Sequence, residues 1–97
     1  MGKTTVVNQF GKQFDNYLYF NMEMAENVRM FEMAIPLDDL VDMLFASQGK
    51  ARTPGNILIF IDEIQNSPKT IGLLRYFYER RPDLHVIALS MYGDDHF

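Results

Sequence analysis

Ninety-seven residues with 47% hydrophobic and 23% charged side chains make one small globular domain at most, and exclude wholesale disorder. The net charge of -4, with no long run of one sign, argues against a broad nucleic-acid surface. Cysteine is absent, which excludes disulfide frameworks and thiolate metal sites, and no apolar run reaches the roughly 18–20 residues of a membrane span. With no hydrophobic leader at the N-terminus either, a soluble cytoplasmic protein is the expectation.

The chain opens on Gly2-Lys3-Thr4-Thr5. Behind it Val6, Val7, Phe10 and Phe14 recur at helical spacing, interrupted by Gly11, so a helix is predicted from Thr4 to Phe14. Asp15-Asn16 breaks that pattern, and Tyr17-Leu18-Tyr19-Phe20 is aromatic and strand-like. Met24, Val28, Phe31 and Ile35 predict a short helix. Pro36 suits a first helical turn, and Leu37, Leu40, Val41, Leu44 and Phe45 form the most amphipathic stretch of the chain. Asp38, Asp39 and Asp42 fall on its opposite face, near the end where the helix dipole favours acids.

Ser47 to Asn56 reads as a loop, with two glycines and a proline. Ile57 to Ile61 is an unbroken apolar run, hence a strand buried on both faces and central in its sheet. Ser67-Pro68 supplies a cap and a first-turn proline for a helix whose buried face is Ile71, Leu74, Phe77 and Tyr78, ending near Arg81-Pro82. Arg80 and Arg81 read as a solvated helix end. Tyr76, Phe77 and Tyr78 read as packing residues and the seven methionines as gap-fillers. Leu84 to Leu89 is a further short strand, while residues 91–97 show no pattern. His85 and His96 lack companions at metal-ligand spacing. Helices alternating with short apolar strands predict an α/β fold, a parallel sheet covered by helices on both faces.

Two segments carry chemistry. Gly2, Lys3 and Thr4 match the last three positions of the phosphate-binding loop, Gly, four residues, then Gly-Lys-Ser/Thr. In that loop, backbone N–H groups wrap phosphates, the lysine adds positive charge and the hydroxyl binds magnesium. Alone, the tetrapeptide also fits an ordinary turn or helix start. Asp62-Glu63 follows the central strand at its carboxyl end, where ligands bind in open α/β sheets. Asp62 is placed to hold Mg2+, usually through water, and Glu63 to act as base or orienter for an attacking water. The bland alternative is a strand that merely ends in two solvated acids. The two segments in order, with room between them for a strand and helices, favour the nucleotide reading.

The chain resembles the AAA-type P-loop ATPases, in particular a prokaryotic group described as predicted AAA ATPases or ATP-binding proteins. Gly2-Lys3-Thr4-Thr5, Tyr17-Leu18-Tyr19-Phe20, Ile59-Phe60-Ile61-Asp62-Glu63-Ile64-Gln65 and Val86-Ile87-Ala88 carry the resemblance, which covers residues 1–90. It implies ATP and Mg2+ as ligands, with Gly2, Lys3, Thr4 and Thr5 at the nucleotide, Thr4 and Asp62 at the metal, and Glu63 as a catalytic group. It also places Ser90 where the family carries its first sensor, although a strand-end hydroxyl satisfying its own backbone fits equally well.

The resemblance further implies a core truncated at both ends. The family's first strand and loop glycine would precede Met1, and residues 91–97 do not resemble the family's continuation. The expected fold is therefore a three-layer P-loop NTPase-like parallel sheet flanked by helices, incomplete because its first and last strands are missing. Leu84–Leu89 becomes a bare apolar edge. Losing about three charge-assisted loop bonds would cost roughly 4 kcal/mol, about a thousandfold in ATP affinity, so weak binding and negligible hydrolysis are expected. The alternative is a non-catalytic α/β interaction protein that pairs with itself or a protein partner through that exposed edge strand. No Asn-Lys-x-Asp segment supports a GTPase, and nothing beyond Asp-Glu-x-Gln supports a helicase.

Overall fold

A computed structural model describes residues 9–51 and 54–90, and the backbone of 93–96. Its elements are β1 (Asn16–Asn21), α1 (Ala25–Phe31), α2 (Leu37–Ser47), β2 (Ile57–Asp62), a 3-10 turn (Ile64–Asn66), α3 (Pro68–Arg80), β3 (Leu84–Ser90) and β4 (Gly93–His96). The sheet order is β1-β2-β3-β4. The first three strands are parallel, and β4 returns antiparallel to β3. The fold is thus α/β with a three-stranded parallel sheet and flanking helices, as the sequence predicts.

Side-chain alternation along the strands assigns the two faces. Leu18 and Phe20 of β1, Ile57, Ile59 and Ile61 of β2, and Leu84 and Ala88 of β3 share one face. There they meet Met30 and Phe31 of α1, Leu40, Val41, Leu44 and Phe45 of α2, and Leu74 and Phe77 of α3. Tyr17, Tyr19, Phe60, Ile87 and Leu89 form a smaller cluster on the other face. Residues 57–61 are at most 5% exposed, because a central strand covered on both faces leaves no polar side.

Of the helix predicted from Thr4 to Phe14, residues 4–8 lie outside the described residues, and 9–11 are helical. It then tightens into i to i+3 bonds, from the N–H groups of Lys12, Gln13 and Phe14 to the carbonyls of Gln9, Phe10 and Gly11. Gly11 is required there, since a Cβ at this position would stand 2.7 Å from the Tyr17 ring. Phe14 packs edge-on against Phe10 and His85 at 5.2 and 5.1 Å between ring centroids. This segment therefore sits on the sheet face opposite α1–α3.

Several local expectations change. The helix predicted over Met24 to Ile35 stops at Phe31, and Pro36 disfavours helical geometry only at Ile35. Ser67 precedes α3 but makes no side-chain cap. Its buried hydroxyl instead donates to Glu32 Oε2 at 2.7 Å, and Thr70 Oγ1 lies 2.7 Å away on the same oxygen. Ser67 has one proton, and the carboxylate takes it, so Thr70 is the donor in the second bond. The end of α1 is thereby tied to the start of α3. Of the predicted buried face of α3, Leu74 and Phe77 are buried, whereas Ile71 and Tyr78 are exposed at 38% and 64%. Tyr76 is also exposed and carries the Arg80 guanidinium over its ring at 5.5 Å.

Arg81 is not a solvated helix end. Its guanidinium forks onto Asp83, with both bonds at 3.1 Å, and pairs with Asp38 at the start of α2.

The sheet edges differ from expectation too. Among the described residues β1 has a strand neighbour on one side only, and its carbonyls at Tyr17 and Tyr19 accept bonds of 2.7 Å each from Lys50 Nζ and Gln48 Nε2. Those side chains block the acceptors that a foreign strand would need. The bare edge expected at Leu84–Leu89 is narrower: β4 pairs with Ile87 through Ser90, and among the described residues only 84–86 lack a neighbouring strand on that side. Gly93–His96 reaches this position through backbone bonds, which side-chain patterning does not announce. Among the described residues no helix is long and apolar enough to cross a membrane.

Candidate functional site

The carboxyl ends of β1 and β2 lie side by side, with Asn21 opposite Asp62. Beyond them the chain turns away in two directions. After β1, Asn21 Oδ1 accepts the Glu23 N–H at 2.9 Å and Asn27 Nδ2 donates to the Asn21 carbonyl at 3.0 Å, which fixes the entry into α1. After β2, Glu63 adopts φ 57 and ψ 45, the left-handed region, as the sole non-glycine described residue with positive φ. A side chain there costs roughly 1–2 kcal/mol, and such outliers gather at working sites. The bend launches the 3-10 turn, closed by the Asn66 and Ser67 N–H groups on the Glu63 and Ile64 carbonyls at 3.2 and 2.9 Å.

Between these turns is a cleft of about 570 Å3. Met22, Glu23, Ala25 and Val28 line one wall, and Glu63, Gln65 and Asn66 the other. The Ser67–Glu32 bond braces the two walls from behind, since Glu32 closes α1 and Ser67 directly follows the 3-10 turn.

Asp62 belongs to the opposite side of the sheet. Its Oδ1 accepts the Glu63 N–H at 2.9 Å, and its Oδ2 accepts the Tyr19 hydroxyl at 3.0 Å. Tyr19 leans on Phe60, with ring centroids 5.2 Å apart. Burial, then the hydrogen bond to Asp62 and the nearby negative charges, push the Tyr19 phenol up to about 12. Burial and the Asp62 charge likewise push Tyr17 to about 12. Both phenols therefore stay protonated in the folded chain when those of the unfolded chain ionise near the ordinary value of 10.0.

The sign of the linkage follows from this. The stabilisation is fully present below pH 10.0 and is lost as pH rises through about 12, because only the unfolded chain has released these protons in between. Urea unfolding at several pH values in this window should show a steeper loss of stability for the native chain than for a Tyr17→Phe/Tyr19→Phe double variant. Equal slopes would show that the two phenols do not carry the effect.

Of the residues singled out in the sequence, Asp62 and Glu63 are adjacent but diverge, the first to the Tyr19 face and the second to the cleft. Ser90 ends β3, nearly buried, and strand alternation puts it on the side of Ala88, away from Asp62. Gly2, Lys3, Thr4 and Thr5 lie outside the described residues. Among the described residues there is no group of three or more His, Cys, Asp and Glu side chains able to hold a metal ion. A single carboxylate still suits Mg2+ bound together with a nucleotide, because that ion takes one or two carboxylates and completes its shell with phosphate oxygens and water.

Tyr19, Gln48 and the Glu32–Ser67–Thr70 cluster are absent from the sequence-based site. Only Tyr19 left a trace, as a polar-tipped aromatic beside the strand that ends in Asp62.

Compared with known proteins, residues 1–90 match a family model described as an AAA domain. No curated protein and no solved structure matches the chain.

Proposed function

The chain belongs to the AAA domain family, a family of ATP-binding domains and ATPases, and on that premise we propose that it forms an ATP·Mg2+ site at the carboxyl ends of β1 and β2. Gly2, Lys3, Thr4 and Thr5 bind the phosphates through backbone N–H groups and the lysine ammonium. The Thr4 hydroxyl and the Asp62 carboxylate hold the magnesium, directly or through its water. When bound, the ion neutralises charge on the phosphates and orients them. Roles for Glu63 at the attacking water and for Ser90 as a polar sensor require each to come round to the Asp62 face, since here Glu63 lines the cleft and Ser90 lies on the Ala88 side of the sheet.

The observation that carries this reading is Asp62 itself, a half-buried carboxylate at the end of a wholly apolar central strand. Two further features support it. Glu63 holds a strained backbone directly after the metal carboxylate. Residues 9–14, which continue from the Gly2–Thr5 segment, pack on the same sheet face as Tyr19 and Asp62.

A fluorescent ATP analogue titrated with and without Mg2+ tests the proposal. Binding is expected to strengthen with Mg2+, and Lys3→Ala to weaken it by about tenfold or more, as for loss of a charged hydrogen bond of roughly 1.5–3 kcal/mol. Binding that ignores both Mg2+ and Lys3 would overturn the reading.

A second reading, a non-catalytic interaction protein, has one observation in its favour. An apolar groove of about 350 Å3, lined by Phe10, Leu58, Tyr78 and Pro82 among others, runs along the uncovered start of β3. Under this reading Lys3→Ala leaves self-association unchanged and no nucleotide binding is detected.

A further inference from the structure

We infer that Tyr19 is the positioning residue of the Asp62 carboxylate, fixing its orientation so that it discriminates in favour of Mg2+; the inference rests on the ATP·Mg2+ reading of the site. A carboxylate at a strand end turns about two side-chain bonds, and only hydrogen bonds to its separate oxygens hold its plane. Among the described residues, Asp62 accepts one such bond on each oxygen. The Glu63 N–H takes Oδ1 at 2.9 Å, and the Tyr19 hydroxyl takes Oδ2 at 3.0 Å from 43 residues earlier in the chain.

The two anchors are not equivalent. The Glu63 N–H moves with the turn that follows Asp62, whereas Tyr19 is held by the body of the sheet. Its backbone pairs in register with Phe60, its ring rests on the Phe60 ring, and its carbonyl is bound by Gln48 Nε2 at 2.7 Å. The hydroxyl is thus a fixed donor aimed at one carboxylate oxygen. Partners of this kind orient ligating groups, and losing one typically costs 10–100-fold in metal affinity.

Orientation matters unequally between cations. Magnesium demands near-ideal octahedral geometry at short distances, whereas calcium accepts more ligands in looser arrangements. A carboxylate released from Tyr19 should lose affinity for Mg2+ more than for Ca2+. General loosening of the fold would weaken both alike, so the ratio isolates the positioning role.

The experiment titrates Mg2+ and, separately, Ca2+ into the chain in the presence of a fluorescent ATP analogue, for the native protein and for Tyr19→Phe. Phenylalanine keeps the ring contact with Phe60, and circular dichroism verifies the fold. The Mg2+ half-saturation point is expected to rise about tenfold or more, the Ca2+ value to rise less, and metal-free nucleotide binding to stay unchanged. An unaltered Mg2+/Ca2+ preference in Tyr19→Phe would overturn this inference alone. A native chain whose nucleotide binding ignores Mg2+ would overturn the site reading and this inference with it.

Discussion

Truncating Phe20 to alanine is expected to destabilise the chain by about 3–5 kcal/mol, the usual range for removing a buried phenylalanine. Phe20 is 1% exposed and stands at the joint between the sheet and α1. Its ring meets Phe31 edge-on at 5.2 Å and 82°, and its backbone pairs with Ile61 in the central strand. Alanine would leave a cavity between β1 and α1 that the parallel ladder cannot collapse to fill, and it would also remove the aromatic pair. Domains hold only about 5–15 kcal/mol in total, and small ones sit near the lower end. The variant should therefore unfold at markedly lower urea concentration than the native chain. Phe10→Ala is the contrast, because Phe10 is 43% exposed. A cost at Phe20 no larger than that at Phe10 would mean that α1 does not pack on β1 as described.

Asp62→Asn addresses the chemistry rather than the scaffold. Asparagine keeps the size and can still accept the Glu63 N–H at its oxygen while donating its amide hydrogen to the Tyr19 oxygen. The local hydrogen bonds are thereby conserved and the negative charge is lost. Nucleotide binding in the presence of Mg2+ should fall about 10–100-fold, the scale on which disturbed metal sites lose affinity, while metal-free binding and the urea midpoint change little. The comparison separates two roles that one side chain could have. A carboxylate that only braced the end of β2 would leave the Mg2+ response intact, because asparagine keeps the bracing bonds. The result also orders the two acids. Glu63→Gln is expected to preserve Mg2+-dependent binding, because Glu63 faces the cleft and not the Asp62 side of the sheet.

How legible these features were in the sequence depends on how local their causes are. The central strand was legible because five apolar residues in a row leave it no solvent side. α2 was legible because Leu40, Val41, Leu44 and Phe45 repeat at the helical period. The acids after the strand were legible for the same reason, since a buried strand must deliver its first polar residues at an end of the sheet. What escaped depends on partners distant in sequence. The Ser67 hydroxyl looked like a cap from its place before Pro68, but Glu32 lies 35 residues away and a carboxylate is the stronger acceptor. Tyr19 reaches Asp62 across 43 residues, and Gln48 reaches the Tyr19 carbonyl across 29.

Other misses have physical causes of their own. Glu63 gave no sign of its left-handed backbone, because such a position is normally announced by glycine or asparagine. Ile71 and Tyr78 lie at helical spacing from Leu74 and Phe77, yet the periodicity marks the middle of a buried stripe and not its width. β4 is held by the ladder on β3, and Gly-Asp-Asp-His has none of the residues that favour strands. A solvated helix end suffices to explain Arg80-Arg81 in the sequence, so nothing local announces the partners of Arg81. The fork onto Asp83 and the pair with Asp38 needed α2 and the turn after α3 brought together first.

The central claim is that a nucleotide-bound cation sits at the Asp62 end of β2, on the face shared with Tyr19. Mn2+ in place of Mg2+ tests it directly, because a paramagnetic ion broadens the NMR signals of nearby nuclei. With Mn2+ and an ATP analogue added to isotopically labelled chain, the amides of Asn21, Asp62 and Glu63 are predicted to broaden first, while those of Asp38 and Arg80 at the other end of the sheet stay sharp. Broadening that begins at Asp38, Asp39 or Asp83 and spares Asp62 would contradict the account.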